Sequence, residues 1–130
     1  MFKKNIFKNK NIIVTGGAGG IGSATCKLFL EYAANVFLVD NDKFKINNIK
    51  KEINNPKLKT FNFDITSEKE VKNFYKKIAN KNLNVNHLIN NAGVATLNLC
   101  KDLSVKEWDL VMNVNLKGMF LMTKHAIPHL

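Results

Sequence analysis

The chain has 130 residues, 45% of them apolar, which is one domain's length with enough apolar material for a core and excludes general disorder. No apolar run approaches the ~20 residues of a membrane-spanning helix. The net charge of +10 rests on twenty lysines and no arginine, scattered rather than clustered, so the basic charge reads as a solvated surface and nucleic acid is not the expected partner.

Residues 1–10 are a basic lead-in without a continuous apolar segment, unlike a signal peptide. They also lack the Arg and Ser of a mitochondrial presequence, so the cytoplasm is the expected location. Residues 11–130 read as a single domain. The run Ile12-Ile13-Val14 predicts a strand over 11–15. Thr15-Gly16-Gly17-Ala18-Gly19-Gly20-Ile21-Gly22 follows it, and a helix is predicted over about 20–33, with Ile21, Leu28, Phe29 and Tyr32 on its apolar stripe. A strand, a glycine turn and a helix in that order leave main-chain N–H groups bare at the positive end of the helix, where a pyrophosphate can sit. A side chain in the turn would block either the phosphate or the helix–strand contact.

A second strand over 35–40 ends in Asp40, 18 residues after Gly22. A carboxylate at that strand tip accepts hydrogen bonds from ribose hydroxyls and repels a 2′-phosphate, which favours NAD over NADP. The plainer alternative is that Asp40 only starts a turn with Asn41 and Asp42. Ile46, Ile49 and Ile53 predict a weaker helix, broken by Asn54-Asn55-Pro56. A third strand over 58–63 leads into Asp64. Ser67 and Glu70 then predict a capping box, with Val71, Phe74, Tyr75 and Ile78 at helical spacing. Leu88-Ile89 mark a fourth strand, and a loop covers 93–103. Ser104 and Glu107 predict a second capping box, opening a long helix toward Pro128.

Cys26 and Cys100 are isolated, and reduced thiols in or near the core are expected. His87, His125 and His129 lack acidic partners at metal-ligand spacing, so no metal site is expected. His125 and His129 are four apart, either a two-ligand face or the ordinary preference of His for helix C-termini.

Strands alternating with helices predict an α/β fold: a doubly wound parallel sheet between two helix layers, in strand order 3-2-1-4. Gly16, Asp40, Asp64 and Asn91 all fall at carboxyl ends of strands, where such a sheet binds its ligand.

Four blocks give the chain its resemblance to the short-chain dehydrogenase/reductase family. They are T-G-x-x-x-G-x-G over Thr15 to Gly22, Asp64-Ile65, Asn90-Asn91-Ala92-Gly93, and Asn113-Val114-Asn115-Leu116-Lys117-Gly118 preceded by Trp108-Asp109. Gly16, Gly19 and Gly22 also fit the G-x-x-G-x-x-G of the extended, epimerase-like branch. Asn-Asn-Ala-Gly favours the shorter branch. The resemblance implies a Rossmann-type domain truncated after the fourth strand and its following helix. Gly16, Gly20, Ile21 and Gly22 would hold the pyrophosphate of an NAD, Asp40 its adenosine ribose, and Asp64 and Ile65 its adenine. Asn91 and Gly93 would line the floor near the second ribose. Asn115 would be the helix-borne member of an Asn-Ser-Tyr-Lys catalytic group. Each assignment has a structural alternative: Asn90 only ties neighbouring strands together through its amide, Asp64 caps the turn into the helix that Ser67 opens (a role compatible with binding), and Asn115 is an ordinary polar residue kinking its helix, although its setting amid Val111, Val114, Leu116 and Met119 favours a buried amide with partners.

The family's Tyr-x-x-x-Lys is missing: Tyr32 and Tyr75 are followed four residues later by Val36 and Ala79. The expectation is therefore the front, cofactor-binding half of an oxidoreductase that moves hydride between nicotinamide and an alcohol or carbonyl substrate. This half would be inactive alone and would pair as a homo-oligomer through the apolar long helix. A non-catalytic nucleotide-binding or interaction module is the rival.

Overall fold

A computed structural model describes residues 3–130; Met1 and Phe2, part of the basic lead-in, lie outside the described residues. Four parallel strands, β1 (Asn11–Thr15), β2 (Asn35–Asp40), β3 (Leu58–Asn62) and β4 (His87–Ile89), form one sheet in the order β3-β2-β1-β4. The helices are α1 (Gly20–Glu31), α2 (Lys43–Ile53), α3 (Glu68–Asn80), α4 (Val105–Met112) and α5 (Met119–Ala126).

The period-two geometry of a strand divides the core. Ile13, Phe37 and Val39 point to one face and pack on Val71, Phe74, Tyr75 and Ile78 of α3 and on Leu121, Met122 and Ala126 of α5. Ile12, Val14, Val36 and Leu38 point to the other and pack on Cys26 and Leu30 of α1 and Ile46 of α2. Both faces are covered, so β1 and β2 read as continuous apolar runs. Each of these fully buried aliphatic side chains contributes about 1.5–3 kcal/mol relative to exposure.

Several expectations are corrected. On α1, Ile21 and Leu28 are exposed, and the sheet-facing row is Gly22, Ser23, Cys26 and Leu30. The helix must turn Gly22 inward, because only a glycine fits there against the first turn. The Ser67–Glu70 capping box is half made. Ser67 accepts from the Glu70 N–H, but the Glu70 carboxylate accepts from the Asp64 N–H at 2.7 Å instead. The Ser104–Glu107 box is complete, and the Ser104 hydroxyl and N–H hold the Glu107 carboxyl below its ordinary value. The long helix is interrupted by a π-helical stretch, Asn113–Gly118, between α4 and α5. Cys26 is buried, which pushes its thiol up to about 12, whereas Cys100 is exposed. The lead-in docks through Phe7, whose N–H donates to the Tyr32 carbonyl and whose ring meets Phe29 edge-on at 5.1 Å.

Asn54, at φ 42°, ends α2 in the left-handed conformation that Asn tolerates. Among the described residues no helix is long and apolar enough to cross a membrane.

Candidate functional site

At the carboxyl end of β1 the chain reverses on Gly16, whose φ is +62°. A Cβ there would lie 2.8 Å from Ala92 Cα, so both the dihedral and the space require glycine. A Cβ on Gly22 would run into the Gly16 carbonyl oxygen and sit 2.8 Å from Asn91 Nδ2. Gly16 and Gly22 thus let α1 start directly against the turn. Gly20 differs, because a Cβ there would meet nothing within 4 Å. The space over the first turn of α1 is open. No side chain among the described residues caps this end, and no acidic residue lies in the first turn. The N–H groups of Gly20, Ile21 and Gly22 are the orphan donors of a helix start. Bare donors, a positive helix end and open space suit a phosphate.

Asp40 ends β2 beside this turn. Its Oδ2 accepts from the Ala18 N–H and its Oδ1 from the Asp42 N–H, both at 3.0 Å. Asp40 thus fills the turn-starting role, and each carboxylate oxygen keeps a further lone pair. Asp64 accepts the N–H and hydroxyl of Thr66 on Oδ1, both at 2.8 Å. Its Oδ2 has no hydrogen-bond partner among the described residues.

Gly16, Asp40, Asp64, Ile65 and Gly93 line one crevice of about 210 Å³ across the strand tips. That is less than the roughly 300–1,000 Å³ of a complete small-molecule site. Sequence reasoning missed Lys45, Phe63, Val94 and Val114, which also line it. Lys45, Phe63 and Val94 carry no local motif; Val114 lies within the Asn113–Gly118 block, but as one of its apolar positions.

The family model for short chain dehydrogenase matches residues 10–130. The chain belongs to the short-chain dehydrogenase/reductase family. A 3-oxoacyl-(acyl-carrier-protein) reductase of Thermotoga maritima is 32% identical over 95% of this chain and 51% of its own length. An NAD-dependent glycerol dehydrogenase of Listeria innocua is 36% identical over 89% of the chain and 45% of its own. The crystal structure of a glucose/ribitol dehydrogenase of this family from Brucella melitensis superimposes with a TM-score of 0.89 at 26% identity, over 95% of this chain and 53% of that one. The chain spans about half the length of these relatives.

The remaining short-chain dehydrogenase/reductase motifs sit around the crevice as braces. Asn91 donates both amide hydrogens to main chain, to the carbonyls of Thr15 (3.0 Å) and Gly16 (3.2 Å). The Thr15 hydroxyl accepts from the N–H groups of Asn91 and Ala92, both at 3.1 Å. Tying β1 to β4, the role weighed for Asn90, falls to Asn91 and Thr15. Asn90 instead donates to the Thr123 hydroxyl on α5 at 3.0 Å.

Asn115 lies in the π-helical stretch, a feature frequent at functional sites. It is exposed, not buried, because α4 and the following stretch are covered on one side only. Its carboxamide still finds two partners. Oδ1 accepts from the Val94 N–H at 2.8 Å and Nδ2 donates to the Val94 carbonyl at 2.9 Å. One side chain so clamps the loop that follows Gly93. Ile65 reaches the crevice because Gly118 makes room, a Cβ on Gly118 falling 2.6 Å from Ile65 Cδ1.

Neither tyrosine is set for acid–base work at the crevice. Tyr75 is buried on α3, donates to the Met122 carbonyl at 3.0 Å, and its phenol is pushed above its ordinary value by that burial. His125 and His129 each join the C-terminal segment to α3. His125 Nε2 contacts Glu68 at 2.9 Å, and His129 stacks on Tyr75 at 5.4 Å.

Proposed function

We propose that residues 11–130 are the nicotinamide-dinucleotide-binding portion of an oxidoreductase, with NAD favoured over NADP. The observation that carries this reading is the shared crevice of Gly16, Asp40, Asp64 and Gly93 beside an uncapped, open helix start. The pyrophosphate lies over Gly16, Gly20, Ile21 and Gly22. Asp40 accepts from the adenosine ribose, Asp64 Oδ2 accepts from the adenine amine, and Ile65 packs on the ring. Asn91 and Gly93 shape the floor, with Asn91 acting as a brace for the turn. Asn115 is a positioning residue, holding Val94 and so the floor in place. The NAD preference follows from a carboxylate where a 2′-phosphate would fall.

When bound, the nicotinamide supplies hydride acceptance or donation toward an alcohol or carbonyl carbon, the activity proposed for the intact protein. Proton transfer to the substrate oxygen needs a positioned acid–base group. Among the described residues no tyrosine lies at the crevice to supply one, so the 130-residue chain by itself binds without turnover. The exposed apolar side chains of Leu116, Met119 and Phe120 support self-association through the long helix.

An NADH fluorescence titration together with a turnover assay tests this. Saturable binding in the micromolar range or tighter, competed by ADP, supports the reading. Absence of binding by a folded chain removes it.

A further inference from the structure

We infer that Lys45 is a specificity-determining residue of this crevice, lending it affinity for a 2′-phosphorylated adenosine ribose and so weakening the NAD preference that Asp40 imposes. The inference rests on the dinucleotide reading above. Three observations lead to it. Lys45 lines the same crevice as Asp40 and Asp64, and is its only cationic lining residue. Its ammonium has a single loose protein partner among the described residues, Asp42 Oδ2 at 3.7 Å, and the side chain as a whole is 62% exposed. Asp40 itself is engaged on both oxygens by the Ala18 and Asp42 N–H groups, which spreads part of its charge onto the protein.

The placement of Lys45 is also costly for the helix. Asp42 is the N-cap of α2, so Lys43 and Lys45 stand in its first turn, which holds no acidic residue of its own and leaves the cap carboxylate as their one acidic neighbour on this element. The macrodipole disfavours cations at that end. A phosphate at the ribose would reverse this, meeting both the ammonium and the N-terminal end of α2. A 2′-hydroxyl offers the ammonium only a neutral acceptor.

The test is isothermal titration of the 130-residue chain and its Lys45→Gln, Lys45→Glu and Lys43→Gln variants with NAD and with NADP. The expected result is a roughly tenfold loss of NADP affinity in Lys45→Gln, about what one charge-assisted hydrogen bond supplies. Lys45→Glu should lose more. NAD affinity should stay within about twofold, and Lys43→Gln, outside the crevice but with the same net charge, should leave both ligands unchanged. Equal losses for both ligands, equal losses in Lys43→Gln, or no loss in Lys45→Gln would overturn the inference while leaving the dinucleotide reading standing. A wild-type chain that binds neither dinucleotide would overturn both.

Discussion

The Ala18 N–H donates to Asp40 Oδ2 at 3.0 Å, which joins the glycine turn to the tip of β2. Asp40 thereby shapes the turn and faces the crevice at once. Replacing it by alanine removes the repulsion toward a 2′-phosphate and also the tether on Ala18. Asp40→Ala is expected to weaken NAD about tenfold, through the loss of charge-assisted hydrogen bonds to the ribose, while NADP weakens less. The ratio of the two dissociation constants, measured side by side, should move toward one. A ratio that stays at the wild-type value removes the argument for NAD preference.

Gly20 and Gly22 belong to one motif but fail differently. A methyl at Gly22 collides with the Gly16 carbonyl and Asn91. Gly22→Ala is expected to lose about 1–3 kcal/mol of stability by overpacking. A methyl at Gly20 meets no protein atom. Gly20→Ala should leave urea-denaturation stability unchanged or raise it by up to about 1 kcal/mol through helix propensity. It should still weaken NADH binding, because the methyl occupies the space over the bare N–H groups. Full binding by Gly20→Ala would show that the phosphate is held elsewhere.

Asn115 and Val94 form a two-bond clamp across a chain separation of 21 residues. Asn115→Ala breaks both bonds at an exposed site, where each is worth about 0.5–1.5 kcal/mol. A loss of about 1–2 kcal/mol is expected in urea denaturation. NADH affinity should also fall, because Val94 lines the crevice. Hydrogen exchange gives the decisive measurement. The Val94 amide should exchange faster in the variant while the amides of β1 and β2 stay protected.

The sheet was legible because strands buried on both faces appear as unbroken apolar runs, and β1 and β2 are such runs. The strand order followed from right-handed crossovers. The crevice residues Gly16, Asp40 and Asp64 were legible for the same reason, since topology alone brings the strand tips together, whereas Gly93 rested on the family resemblance and Asn91, read as a fourth tip residue, braces the turn and does not line the crevice. The sheet-facing row of α1 was not legible, because Gly22 carries no hydropathy signal and the apolar side chains point instead to a stripe of Ile21, Leu28, Phe29 and Tyr32. The π-helical stretch holding Asn115 was hidden, since apolar periodicity does not report a one-residue shift in hydrogen-bond register. Lys45 was hidden among nineteen other lysines. Only the packing of α2 against β3 brings it to the crevice.

Glu68 binds α3 to α5. His125 Nε2 lies 2.9 Å and Lys124 Nζ 3.1 Å from its Oε1, with Lys72 at 3.6 Å. The contact with His125, then Lys124, then Lys72, holds the Glu68 carboxyl at about 2 instead of its ordinary 4.5. A carboxylate depressed on folding binds fewer protons in the folded state than in the unfolded one. Its contribution is therefore fully present above pH 4.5 and is lost as the pH falls toward 2. Because the group is exposed, screening makes the contribution small and sensitive to salt. The wild-type urea midpoint is expected to fall more steeply between pH 5 and 2 than that of Glu68→Gln, with the two curves converging at the acid end. Added salt should narrow the gap at neutral pH. Parallel curves across this window would show that His125, Lys124 and Lys72 do not act on stability through Glu68.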